Sequence, residues 1–137
     1  MIIRKAPCPT CGKLASVIEG QIAHSDHIGW FRSRSCEFCG ARFEEDGFDT
    51  AEDVRLGLLD RDGVWNVLVE STKYRVLAYK IIRKVFKLTI SETIKLDKTQ
   101  RIVFSGTEIE ANFVKSKLDN EGVPCNVERV NQRKLGG

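Results

Sequence analysis

The pattern of apolar and polar positions changes character part-way along the chain. Up to about Asp49 there is no helical periodicity. Gly12, Gly20, Gly29, Gly40 and Gly47 punctuate short β-capable runs at Ala15 to Ile18, Trp30 to Arg34 and Ala41 to Phe43. This predicts hairpins held by something other than a large apolar core. From Thr50 the spacing becomes helical: Thr50 with Asp53 reads as a capping box, followed by Val54, Leu58 and Leu59 as an apolar stripe. Asp60 to Gly63 then supplies a turn. Beyond it, Val64 to Val69 reads as a strand. Lys73 to Leu88 reads as a helix with Tyr74, Ala78, Ile81, Ile82 and Val85 on one side, and Ser91 to Leu96 as a second short helix. Arg101 to Phe104 is a compact strand ended by Gly106. Thr107 to Leu118 is a helix burying Ile109, Phe113, Val114 and Leu118, with Thr107 and Glu110 as its capping box. Val123 to Val130 is the last strand. The expected fold class is α+β, hairpins first and then strand, helix, helix, strand, helix, strand, with no internal repeat.

Composition and charge sharpen this division. A chain of 137 residues, 42% hydrophobic and 30% charged, has the makeup of one folded domain or two small ones. Residues 1–60 carry seven Lys/Arg against ten Asp/Glu, whereas residues 61–137 carry fifteen against nine, so the net charge of +3 hides an acidic half and a basic half. The expected organisation is a ribbon over 1–48, a connecting helix and turn over 49–62, an α+β domain over 63–132 and a tail over 133–137. Apolar runs are too short for a membrane span, and the opening residues lack the stretch a signal peptide needs, so a reducing cytoplasm is the expected compartment. There, clustered cysteines bind metals or do redox chemistry more often than they form disulfides.

The candidate chemistry lies in Cys8-Pro9-Thr10-Cys11-Gly12 and, after 24 intervening residues, Cys36-Glu37-Phe38-Cys39-Gly40. A two-residue gap lets a tight turn aim both sulfurs at one point, and two such knuckles build a closed tetrahedral site. Cys8, Cys11, Cys36 and Cys39 are therefore the expected ligands of one structural zinc ion, which replaces the core that so short a segment cannot build. A redox dithiol wants a helix after its Cys-x-x-Cys, and neither pair precedes a helical pattern. His24 and His27 read as the polar tip of a hairpin, the alternative being a second metal or an exchangeable ligand. Cys125 reads as a buried small hydrophobe. Arg32 and Arg34, beside Trp30 and Phe31, suit contact with nucleic acid, but Glu37, Glu44, Glu45, Asp46 and Asp49 would repel phosphate.

Lys73, Arg75, Lys80, Arg83, Lys84 and Lys87 form a basic run without an acid. At 3.6 residues per turn most of them lie away from the apolar side of their helix, as a docking face for an acidic protein or RNA phosphate, or as a solvated surface. The stretch Trp65 to Val69, Tyr79-Lys80-Ile81-Ile82-Arg83, Leu88 to Thr93, Leu96, Gly106, Gly122 and Val127 resembles the C-terminal domain of the bacterial ribosomal stalk protein. That fold is shared with the Clp protease adaptor. The resemblance implies the same order of elements over roughly 63–132, and a surface on the first two helices that recruits translational GTPases, where Lys80 and Arg83 match basic residues. Lys87 and Thr89 stand where that family has glycines, and Ser91 where it has a lysine. The paired Cys-x-x-Cys-Gly motifs are also similar to those of some immunity proteins.

No catalytic set assembles in the sequence: no histidine besides His24 and His27, no phosphate loop and no open metal position. The expected function is non-enzymatic binding of a protein partner, as an adaptor on translation or proteolysis factors or as an inhibitor of a cognate toxin. Nucleic-acid or ribosome binding is the alternative; neither a membrane nor a small-molecule substrate is expected.

Overall fold

Four strands pair antiparallel in chain order to make the first sheet: β1 (Ile2–Pro7), β2 (Leu14–Ala23), β3 (Ile28–Ser35) and β4 (Arg42–Gly47). This is a computed structural model, and it describes residues 1–86 and 101–130. The chain divides into two units, Met1–Arg61 and a second beginning at Asp62. The α+β class expected from the sequence is the class observed. The second predicted helix, Lys87 and the tail fall outside the described residues. No described helix is long and apolar enough to cross a membrane.

The first sheet is longer than its apolar runs suggest, and β1 was not foreseen. The reason lies in the buried face. Ala15 and Val17 are buried there, but the same alternation continues with Glu19 and Gln21 on β2 and Arg32 on β3, all at least nine-tenths buried. Polar residues at inward positions disguise a period-two pattern. On the opposite face Ile3 and Ile18 sit directly across from one another and remain exposed.

Helix α1 (Glu52–Asp62) covers the buried face, adding Val54 and Leu58 to it. A side chain at Gly57 would meet Ile2 Cδ1 at 2.8 Å, which measures how closely the helix lies on β1. The two residues read as a capping box hold the helix to the sheet: Gln21 Nε2 donates to Thr50 Oγ1 (3.0 Å), and Arg32 Nη2 donates to Asp53 Oδ2. The helix thus belongs to the first unit, and Gly63, at φ 86°, follows its end.

The second unit places β5 (Trp65–Leu68) between β6 (Ile102–Gly106) and β7 (Asn126–Arg129), antiparallel to both. Helix α2 (Thr72–Phe86) and helix α3 (Glu108–Asn120) join Val67, Val69, Val103 and Phe104 in one apolar core through Ala78, Ile82, Ala111, Val114 and Leu118. Ile109, expected inside, is half-buried, because Glu110 takes the inward position to close the cap. Cys125 is half-buried just before β7, its thiol 3.7 Å from Asp119 Oδ1, and desolvation beside that carboxylate pushes its pKa up.

The capping box of α3 forms as the sequence predicts. Glu110 N–H donates to Thr107 Oγ1 (3.1 Å), and Thr107 N–H donates to Glu110 Oε1 (3.0 Å). The Glu110 carboxylate lies over Gly106 so closely that a Cβ there would collide with it, and would also meet the Phe104 ring at 2.9 Å. Both neighbours are buried and have little room to yield. Gly106→Ala is therefore expected to destabilise the second unit by about 1–3 kcal/mol, read as a lowered thermal midpoint. An unchanged midpoint would mean that the cap relaxes freely.

Candidate metal centre

Each Cys-x-x-Cys motif occupies a hairpin turn, the first between β1 and β2 and the second between β3 and β4. The two turns repeat one another in detail. Gly12 N–H donates to Cys8 O and Gly40 N–H to Cys36 O, both at 2.8 Å. Cys8 N–H donates to Lys13 O (2.7 Å) and Cys36 N–H to Ala41 O (2.9 Å). Gly12 and Gly40 have φ of 78° and 77°, with open space where a Cβ would lie. Their glycine is required by backbone conformation rather than by crowding. Because β1 to β4 form a meander, both turns fall at the same end of the sheet, which brings sulfurs far apart in sequence to one point.

The four Sγ atoms of Cys8, Cys11, Cys36 and Cys39 lie within 4.8 Å of one another, the one such group of three or more potential ligands among the described residues. Cys8 Sγ is 3.7 Å from Cys39 Sγ, and Cys11 Sγ is 3.6 Å from Cys36 Sγ. A tetrahedron with metal–sulfur arms of about 2.3 Å has edges of about 3.8 Å, so both contacts between knuckles have the spacing of shared ligands. They are too long for a disulfide bond. Neither knuckle opens a helix, so the thiols lack the setting of a redox dithiol. Cys8 and Cys36 are buried with Ala15, with Ala41 packed against them, whereas Cys11 and Cys39 are exposed.

The electrostatics of the four thiols divide along the same line. The backbone amides of Cys11 and Thr10 lower Cys8 to about 6, the latter donating to its sulfur at 3.4 Å. The amide of Cys39 lowers Cys36. Cys11 receives the Lys13 amide, yet desolvation and the neighbouring thiols push it up to about 12. Cys39 is raised in the same way, against the Ala41 amide. Four thiolates so close together repel one another, and a cation at their centre is what allows all four to ionise. The donor set, its spacing and its amide support fit a structural metal ion with no coordination position left for substrate.

The basic residues of α2 separate into different environments. Lys73, Lys80 and Lys84 are exposed and recur with Leu77 along one line of the helix, flanked by Val76. Val76 is 64% and Leu77 38% exposed, so the line mixes cations with bare apolar surface. Arg83 is half-buried. Arg75 turns back, donating to Val69 O (3.3 Å) and Glu70 O (3.4 Å) at the end of β5, which withdraws it from that line.

Sequence reasoning missed the charge network under α1. Arg32 Nε donates to Glu19 Oε2 at 2.7 Å, Arg4 Nε donates to Glu19 Oε1 at 2.9 Å, and Arg32 also reaches Glu45 and Asp53. The Arg32 guanidinium is thus buried and neutralised by carboxylates, not presented to solvent. The available signal was the register: Glu19, Arg32 and Glu45 are direct cross-strand neighbours on three adjacent strands.

No protein-family model matches the chain, and no curated protein or solved structure matches it either.

Proposed function

We propose that this is a non-catalytic zinc-ribbon protein that acts by binding another protein. Zinc is the metal best suited to four thiolates in a closed tetrahedron, being redox-inert and without geometric preference of its own. The bound ion would order the sheet end and leave the ribbon as a rigid platform. Elemental analysis of reduced, purified protein is expected to give one zinc per chain.

The observation that carries the binding reading is the solvent-facing line of α2. A helix with Lys73, Lys80 and Lys84 around exposed Val76 and Leu77, and with no acid in its sequence, has the composition of a contact surface rather than of an idle face, which gains from mixed charges. An acidic partner with an apolar anchor complements it. An adaptor on translation or proteolysis factors is the version to which the stalk-protein resemblance points. A second reading, an inhibitor of a cognate toxin, draws on β4. This edge strand presents Glu44 and Asp46 to solvent, where they would oppose a basic nuclease surface.

Reversing Lys80, Arg83 and Lys84 together to glutamate is expected to lower capture of the native partner at least tenfold in a pull-down read by mass spectrometry. Retention of every partner would place the contact elsewhere. Captured nucleic acid, with affinity falling steeply as salt rises, would favour the nucleic-acid alternative.

A further inference from the structure

The end of the first sheet opposite the cysteines is not the plain polar tip its sequence suggests. Between β2 and β3 the chain turns through His24 to His27, closed by His24 N–H donating to His27 O at 2.8 Å. The two imidazoles stack with centroids 4.4 Å apart and planes 19° from parallel, and His27 tilts against the Phe48 ring at 4.8 Å. The Phe31 ring joins these rings beside a cavity of about 330 Å³, which Ile22, Gly29, Asp46 and Gly47 also line, within the range of small-ligand sites. Two backbone features keep it open. His24 Nε2 lies 3.3 Å from where a Cβ on Gly29 would stand, and the Phe31 ring lies equally close to the corresponding position on Gly20. Phe48 is 73% and Ile22 47% exposed at the rim, open to a ligand.

The polar character of this cavity is one-sided. Asp46 contributes a carboxylate to the lining, and no lysine or arginine lines it. His27 Nδ1 lies 2.6 Å from Asp26 Oδ1, which orients the ring. Ring faces and a carboxylate both favour positive charge. The two histidines do not form a group of three or more potential metal ligands with either aspartate, so the arrangement suits an organic cation better than a metal. The Trp30 ring lies on the other face of β3, with the Arg32 guanidinium 5.8 Å from its centroid, so recognition falls to Phe31, Phe48 and the imidazoles.

We propose that this cavity binds a free small molecule bearing an alkylated ammonium group, with the aromatic rings enclosing the methyl groups and Asp46 balancing the charge. Choline is the probe, and 3,3-dimethylbutan-1-ol, which has carbon in place of the nitrogen, is its neutral isostere. In titrations of the full-length protein followed by NMR, choline is expected to shift the His24 and His27 ring signals and to bind at least tenfold more tightly than the isostere. Phe48→Ala is expected to weaken choline about tenfold and Asp46→Asn several-fold. Unchanged signals from the knuckle residues of each variant would show that the ribbon remains folded. Equal binding of choline and its isostere, or full choline affinity in Phe48→Ala, would overturn the cationic site. Tighter binding of a trimethyllysine peptide than of choline would overturn the free-ligand assignment and point to a protein side chain.

Discussion

Replacing Cys36 with serine is expected to release the metal and unfold Met1–Arg61, while the second unit keeps its structure. Cys36 is buried and contacts Cys11 across the knuckles at 3.6 Å, so its loss opens the tetrahedron from inside. Structural zinc binding in small zinc-dependent domains contributes about 10–16 kcal/mol at neutral pH, whereas a whole domain is stable by only about 5–15 kcal/mol. The first unit has few large apolar side chains inside, Val17, Val54 and Leu58 chief among them, and cannot absorb such a loss. Two measurements check this: metal content by elemental analysis, and amide NMR signals, which should collapse for residues of the ribbon and persist for those after Asp62. A Cys36→Ser protein with a folded ribbon would show that the sheet stands without the ion. Acidification acts in the same direction, because protons compete with the metal for sulfur.

The second large effect is expected at Arg32. Arg32→Met leaves Glu19 ionised and buried with only the half-exposed Arg4 as a partner, and it removes the tie to Asp53 on α1. Breaking a buried ion pair from one side costs about 3–5 kcal/mol. Removing both charges, as in Glu19→Leu with Arg32→Met, is expected to cost much less, because no charge is then stranded. Denaturant unfolding of the wild-type protein, the two single variants and the double variant decides it; a double-variant loss equal to the sum of the two single losses would mean the charges are not coupled.

The pH dependence of the same network has a definite sign. Burial opposes ionisation of Glu19, but hydrogen bonds from Arg4 and Arg32 hold its carboxyl below the usual range. A depressed acid contributes stability that is complete above the unfolded-state value of about 4.3 and disappears as pH falls through the lower folded-state value. With the metal content held constant, Glu19→Gln should flatten the acid limb of the stability curve for the first unit.

How much of this was legible beforehand depends on the range of the interactions concerned. The knuckles were, because each depends on five consecutive residues: a two-residue gap that aims the sulfurs, and a glycine that accepts φ near 78°. The α3 cap was also legible, since Thr107 and Glu110 lie three residues apart. The helical spacing of α2 foretold its buried Ala78 and Ile82.

Other features required the assembled sheet. Strand β1 and the inward Glu19, Gln21 and Arg32 look like surface in a linear reading, and only register makes them neighbours. Arg32 meets Glu19 across 13 residues and Asp53 across 21. Thr50 and Asp53 satisfied a local rule, yet they were drawn to sheet partners because a buried guanidinium and a buried amide need acceptors. The aromatic cavity likewise gathers residues from β2, the turn after it, β3, β4 and the segment after β4. The sequence by itself determined where the four cysteines gather and where the described helices lie, because short-range geometry dictates both. The tertiary structure alone decided which charges are buried and which rings enclose space, because those depend on strands meeting in one register and on no local preference.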